Sequence, residues 1–207
     1  MLNRRKFISL FAGLQAAVVM PAVFSRRAWA SPAGDRATDF IKATGVKLVA
    51  AINAAGSIEQ RRVVVGTIID SDVDVNAVAR FCLGRFWRTA TPAQQQQYLG
   101  LFRNMLAANI AIKLGDYRGV TFTVGKAQDR DEGEIVSTVV ARPNNPATNI
   151  QWVVANPTAD PKIVDVIAEG TSLRLTQRDD YAAFLSQHGN NVDALLGAIR
   201  QQASQNG

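Results

Sequence analysis

Near residue 119 the hydrophobic period of this 207-residue chain changes from about 3.6 to 2, and that switch restricts the fold more than any other feature. Ahead of it, Phe40, Ile41, Leu48, Val49 and Ile52 recur near helical spacing, and Gly56 followed by Ser57 and Gln60 reads as a helix stop and a newly capped start. From Gly119 onward, Val120, Phe122 and Val124 alternate with Thr121 and Thr123. A polar turn over 129–133 leads to a strand over 135–141, and turns over 143–146 and 156–161 precede strands over 150–155 and 163–168. Four strands joined by short turns form an antiparallel meander, so the expected class is α+β: N-terminal helices, a curled four-stranded antiparallel sheet, then C-terminal helices. The second strand is apolar on both faces, with Ile135, Val139 and Ala141 on one and Val136 and Val140 on the other. A sheet resting on one helical layer alternates more cleanly. Either helices cover both faces, or the sheet curls around something apolar and encloses a cavity.

The helix from Pro92 to about Leu114 has Thr91 as N-cap, proline at its first position and Gln94 completing a capping box. Its apolar residues, from Tyr98 through Phe102, Met105 and Leu106 to Ile110, spread over about 220° of arc, far wider than a one-sided stripe. Such a helix is covered twice, once by the sheet and once by a second helix or a bound apolar molecule. Thr176 with Asp179 reads as the cap of a helix over 178–187, stopped at Gly189, and Val192, Leu195, Leu196 and Ile199 form a last amphipathic helix. Asp70, Asp72 and Asp74 cluster where a helix through Val75, Val78, Ala79 and Cys82 begins. The helix dipole favours acids there. The glycine and distal glutamate of a calcium loop are missing, so no metal site is expected.

Between these two helices lie Phe81, Cys82, Leu83, Gly84, Arg85, Phe86, Trp87 and Arg88. Burying each large apolar side chain is worth roughly 1.5–3 kcal/mol, so Phe86 and Trp87 face a core or a ligand. On residue chemistry alone they plug the end of a core. The run 79–101, A-R-F-C-L-G-R-F-W-R-T-A-T-P-A-Q-Q-Q-Q-Y-L-G-L, resembles the signature of the MlaC family of toluene-tolerance auxiliary proteins, which are periplasmic phospholipid carriers. The run 162–178, K-I-V-D-V-I-A-E-G-T-S-L-R-L-T-Q-R, is similar to that family's other distinctive stretch.

The resemblance implies a cavity between the sheet and the long helices. Acyl tails would lie against Phe81, Trp87, Leu101, Phe102, Met105, Val139, Trp152, Val154 and Val166, with the headgroup at the mouth. It also implies an outer-membrane lipoprotein–porin complex and an inner-membrane MCE-domain ABC transporter as partners, a monomer in the periplasm, and no cofactor. Phospholipid is the implied cargo, with a hopanoid as the alternative. A tryptophan at Met105 or Val139 would then lower lipid content more than stability. Arg85 and Arg88 flank the aromatic pair three residues apart. They read equally as a bidentate phosphate site at the headgroup, a docking patch for an acidic partner, or a solvated face paired to Asp72 or Asp74.

Residues 1–30 read as an export signal: Arg4, Arg5 and Lys6 precede an apolar stretch, and Ala28-Trp29-Ala30 offers small residues at a cleavage site. The order Asn3-Arg4-Arg5-Lys6-Phe7 resembles a twin-arginine motif, and an uncleaved anchor is the alternative reading. Residues 31–207 then form one domain, expected to bind lipid. Five of the 23 basic residues belong to the signal, which leaves 18 against 17 acidic ones, net +1. The basic pI of 9.9 therefore comes mostly from the signal and gives no reason to expect nucleic acid as a partner. Cys82, the one cysteine, sits among apolar neighbours and reads as a buried, inert thiol.

Catalytic patterns are sparse. His188 is the sole histidine, at a helix end with no metal-ligand spacing, and the Glu169-Gly170-Thr171-Ser172 run is not a nucleophile elbow. No catalytic residue is assigned. The competing class is a cone-shaped NTF2-like enzyme, whose candidates would be Asp165, Glu169 and Tyr117.

Overall fold

A computed structural model of the chain describes residues 31–54, 56–117 and 119–205. The expected export signal lies outside them. The elements run α1 (Pro32–Ala54), α2 (Ile58–Asp72), α3 (Val75–Leu83), a 3-10 turn (Gly84–Arg88), α4 (Pro92–Leu114), a second 3-10 turn (Gly115–Tyr117), strands β1 (Thr121–Arg130), β2 (Gly133–Ala141), β3 (Thr148–Ala155), β4 (Lys162–Ala168) and β5 (Thr171–Ser172), then α5 (Leu173–Gln187) and α6 (Val192–Gln205). Both expected capping boxes form, Ser57 with Gln60 and Thr91 with Gln94. Gly84 ends α3 at φ +59°, a conformation costly for any residue with a Cβ, and the chain continues directly into the 3-10 turn.

Three local expectations need correction. The sheet has five antiparallel strands in the order β1-β2-β3-β4-β5, the last a two-residue strand pairing Ile167 with Ser172 and Ala168 with Thr171. Helix α5 starts five residues earlier than the Thr176 pattern indicates, because Ser172 caps it by accepting from the Leu175 amide, while Thr176 turns its hydroxyl back to the Ser172 carbonyl. Of the three clustered aspartates only Asp74 caps α3, accepting from the Ala77 amide. Asp70 pairs with Arg103 on α4 at 2.6 Å, and Asp72 turns inward.

One face of the sheet carries Phe122, Val124 and Ala127 of β1, Val136 and Val140 of β2, Trp152 and Val154 of β3, and Ile163 and Val166 of β4. Helix α1 lies on it, with Ala37 and Ile41 packed against Val136, Val154 and Ile163. Helix α4 is covered on two sides, as its wide apolar arc requires, but by other helices. Val65 and Ile69 of α2 pack on Ala107 and Ala111, while Leu195, Leu196 and Ile199 of α6 and Tyr181 and Leu185 of α5 pack around Tyr98, Phe102 and Met105. The expected seat of α4 on the sheet is therefore replaced by a helical core.

Two buried carboxylates pin the layers. Asp72, 3% exposed, accepts from Thr44 Oγ1 at 2.7 Å, from Lys47 Nζ at 2.8 Å and from Ser71 Oγ at 2.7 Å, tying α2 to α1. Asp165, 5% exposed, accepts from the Val166 amide, the Ser172 hydroxyl and the Arg174 amide, fixing the start of α5 on β4. Burial opposes the charge on Asp72, yet the hydrogen bonds from Lys47, Ser71 and Thr44 outweigh it and hold the carboxyl below its ordinary value. A depressed folded-state pKa contributes stability above the unfolded value of about 3.9 and loses it as pH falls through the folded value. Asp72→Asn should lower unfolding free energy by about 2 kcal/mol at pH 7 in urea titrations. The gap between variant and wild type should narrow below about pH 4.

Candidate functional site

One cleft follows from one glycine. Gly45 stands in the middle of α1, and a Cβ there would lie 2.3 Å from a ring carbon of Phe122, so the ring fills the space a side chain would take. This close approach seats α1 against β1 and opens a groove of about 810 Å³ beside the contact. Its helical wall is Thr38, Asp39, Lys42, Gly45, Val46, Val49, Ala50 and Asn53, one face of α1, and its strand wall runs from Val120 to Val124. Val46 is 66% exposed there, a large apolar side chain left to solvent. Phe122 meets Trp152 edge to face at 6.5 Å behind the wall, and the Trp152 indole donates to Thr138 Oγ1 at 2.9 Å, so the tryptophan is oriented and its polar atom satisfied. Volume and apolar lining fit a small-molecule or lipid site.

Seven of the nine residues expected to form one cavity wall fall into two separate clusters, and Phe81 and Val139 lie outside both. Trp152, Val154 and Val166 belong to the sheet cluster under α1, and Trp152 touches the groove wall through Phe122. Phe102 and Met105 are buried in the helical core, with Trp87 and Leu101 packed against it, and the Tyr181 hydroxyl donates to Met105 Sδ at 3.6 Å. Phe81 is half-buried, its ring within 4.4 Å of the Arg174 guanidinium carbon and 4.9 Å of that of Arg178. Val139 points to the opposite face of the sheet, paired with Thr123 and Asn149, and is 42% exposed. The strand period of two puts it across the sheet from Val136 and Val140. None of the nine lines the groove.

Arg85 and Arg88 are exposed and make no ion pair among the described residues. The pairing to Asp72 or Asp74 is replaced, since Lys47 holds Asp72 and Asp74 caps α3. Arg85 lies over the Phe86 ring at 4.8 Å, and Arg80 over Trp87 at 5.0 Å. Phe86 is buried and Trp87 half-buried, so the aromatic pair seals the helical core and carries a cationic outer surface. Burial pushes the Cys82 thiol up to about 12, an inert group at neutral pH.

The alternative catalytic candidates do not converge. Asp165 is occupied by α5, Glu169 stands on the exposed β4–β5 turn accepting from the Asn149 amide, and Tyr117 lies 4.5 Å beneath the Arg142 guanidinium. His188 ends α5, stacked on Phe184. Among the described residues no cluster of three or more His, Cys, Asp or Glu side chains has metal-binding geometry, and no helix is long and apolar enough to cross a membrane.

The groove residues were not singled out from the sequence. The available signal was Gly45, an interior helix glycine that costs about 1 kcal/mol against alanine and so needs a packing reason, together with Val46 on a different face from Ile41 and Ile52.

Comparison with known proteins adds three findings. The MlaC protein family model matches residues 43–201. Toluene tolerance protein ttg2D of Pseudomonas putida is 24% identical over 135 residues, which cover 64% of this chain and 61% of that protein, less than two thirds of its length. The structure of a phospholipid-binding protein from Ralstonia solanacearum, solved in complex with a phospholipid, superposes with a TM-score of 0.71 at 23% identity, over 82% of this chain and 98% of the other. That likeness is one of fold.

Met105 is buried in the helical core, and Val46 stands open to solvent on the groove wall. Met105→Trp should cost about 1–3 kcal/mol of stability by overpacking the helical core, whereas Val46→Trp in the open groove should change unfolding free energy by less than about 0.5 kcal/mol. Paired urea titrations of the two variants check this. A destabilised Val46→Trp beside a neutral Met105→Trp would contradict the assignment of core and groove.

Proposed function

The chain belongs to the MlaC family, and from that premise we propose that it is a periplasmic phospholipid carrier whose acyl chains lie in the groove between α1 and β1. The family match carries the reading. The groove supports it, because its lining is largely apolar and a large valine is left in water beside it. Two acyl chains of about sixteen carbons would cost on the order of 25 kcal/mol to expose, so a phospholipid crosses an aqueous space only under cover. In this reading the protein moves lipid between an outer-membrane lipoprotein–porin complex and an inner-membrane MCE-domain ABC transporter, as a monomer, after export by a twin-arginine-like signal over residues 1–30. A hopanoid, polycyclic and apolar, is the alternative cargo. An NTF2-like enzyme is the weaker reading, since Asp165, Glu169 and Tyr117 do not share a cleft.

Native mass spectrometry of the purified mature protein tests the carrier directly. It should retain lipid through gentle desolvation, its mass distinguishing phospholipid from hopanoid, and Val49→Trp should lower the occupied fraction at least about threefold without loss of fold. Protein purified under gentle conditions and free of any lipid would contradict the carrier reading.

The arginines of the 3-10 turn take the docking role in this proposal. Their neighbours belong to the helical core, and an exposed, unpaired cationic surface suits an acidic partner. Replacing Arg85 and Arg88 together with glutamine should slow association with the partner complex, most strongly at low salt, and leave lipid content unchanged. Lost lipid with unchanged association would move these residues to the headgroup. No change in either would leave them a solvated face.

A further inference from the structure

Helix α1 begins beside a buried acid. Glu134 on β2 is 4% exposed and shares with Val136 and Val140 the sheet face that α1 covers. Among the described residues its carboxylate accepts one hydrogen bond, from the Ser31 hydroxyl to Oε1 at 3.1 Å, and pairs with no cation. Gly34 lets the helix come close: a Cβ there would stand 3.3 Å from Ala127 on β1 and 3.5 Å from Glu134 Oε2. The surroundings add negative charge. Asp129 is the cross-strand partner of Glu134, so the two side chains leave the same face, and Asp35 stands in the first turn of α1. The cations of the neighbouring elements are engaged or turned away. Arg36 donates to the Thr158 carbonyl at 2.6 Å, Lys162 pairs with Asp160, Arg130 follows Asp129 and so faces the other side of the sheet, and Lys126 is exposed at the register shift. On β3 the partner of Glu134 is the apolar Val154. A carboxylate taken out of water with one neutral hydrogen bond is unfavourable.

Ser31 is itself held in place. Its Oγ accepts from the Gly34 amide at 3.0 Å while donating to Glu134, and its carbonyl accepts from the Asp35 amide at 2.9 Å. Three covalent bonds join its nitrogen to Oγ, so that nitrogen lies within about 7 Å of Glu134 Oε1. In the unprocessed chain it is a neutral amide, and the nearest preceding cations, Arg26 and Arg27, belong to the expected signal. Cleavage after Ala30 would turn it into an ammonium, charged at neutral pH with an ordinary pKa of about 8.

We propose that the α-ammonium of Ser31 pairs with Glu134, so that removal of residues 1–30 supplies the charge that seats the start of α1, the helical wall of the groove. The inference rests on the export-signal reading and its cleavage after Ala30. An ammonium at a helix start is opposed by the helix dipole, and Glu134 reverses that sign. Pairing raises the pKa of the amine, so its contribution is fully present below about pH 8 and is lost as pH rises through the higher folded-state value.

The intact mass of the exported protein locates its first residue. Chain 31–207 is then compared, as wild type and as Glu134→Gln, which keeps an acceptor for the Ser31 hydroxyl. Each is measured before and after carbamylation with cyanate at about pH 7, where an amine of pKa about 8 reacts ahead of lysines at about 10.4. Carbamylation should lower the Tm of wild type by about 3 °C or more and speed hydrogen exchange in the first turns of α1, and should leave the Tm of Glu134→Gln unchanged or raise it. Cyanate should modify Ser31 about threefold or more slowly in wild type than in Glu134→Gln. A chain that retains Ala30 leaves Glu134 intact and moves the ammonium by one residue, about 3.8 Å, so it should match carbamylated wild type.

Equal Tm changes on carbamylation and equal cyanate rates in wild type and Glu134→Gln overturn the pair and leave the export reading standing. Should Glu134→Gln not fold, the chain retaining Ala30 decides: a Tm equal to that of chain 31–207 overturns the pair. An exported protein whose mass shows a different first residue overturns the processing step, and the inference with it.

Discussion

The structure depends on how helix α4 is covered. Its apolar residues wrap too much of its circumference for one neighbour, and α2 on one side with α5 and α6 on the other cover most of it, leaving Ile112 exposed. The sheet face is then left to α1. A helix with its side chains is about 10–12 Å across, and strands lie about 4.8 Å apart, so one helix covers little more than two strands. Helix α1 sits over β1 and β2, reaching Val154 and Ile163 through Ala37 and Ile41. The partial exposure of Phe122, Trp152 and Val166, and the groove along the other side of α1, follow from that shortfall in helical cover.

With α1 as the main cover of that face, its position must be fixed by more than apolar contact, and polar groups supply this. Ser31, just ahead of α1, donates to Glu134 Oε1 on β2 at 3.1 Å, and Arg36 donates to the Thr158 carbonyl at 2.6 Å. Asp72 holds the middle of the helix through Thr44 and Lys47. These contacts are directional where the hydrophobic effect is not, so they set where along β1 the helix rests and how wide the groove stands. Buried acids in a cleft-bearing protein can suggest catalysis. Here Asp72 and Asp165 have their lone pairs taken by neighbouring elements, which makes them pins.

What the sequence made legible was local. Ser57 with Gln60 and Thr91 with Gln94 announce their helices because the capping box is closed by residues three apart, and the four main strands follow from alternation in the first and from apolar runs bounded by polar turns in the rest. Ser172 was a weaker signal, since the exposed Leu173 and Leu175 that follow it give no inward-facing pattern, and the helix it caps is ordered by Asp165 seven residues earlier. The choice of partner for Met105 was not legible at all. Its period shows that it is buried, but Tyr181 and Trp152 are equally good apolar neighbours on paper, and only the path of the chain between them decides. The face of Val139 was not legible for a different reason: β2 is apolar on both faces, so alternation could not say which one met α1. The family resemblance located the function class without locating the groove, because its signature residues 79–101 largely build the helical core.

A groove flanked by an edge strand suits a cargo that must leave again. Strand β1 ends the sheet, and its regular part, Thr121 to Val124, lies along the groove before the register shifts ahead of Ala127. An acyl chain has no donors or acceptors to pair with that free edge, so its affinity comes from contact area alone and can be tuned by how far the walls enclose it. Full enclosure of two chains relative to water would be worth about 25 kcal/mol, beyond the range of ordinary non-covalent affinity, but the exchange that matters for a carrier is with hydrocarbon in a membrane or in a partner's channel. Against that reference a groove with one open side would hold such chains slightly less well than hydrocarbon does, and the exposed Val46 marks a wall open to solvent. Transfer is then close to isoenergetic. In the proposed carrier the apolar groove would protect the chains in transit and contribute little to direction, which would be left to the partners.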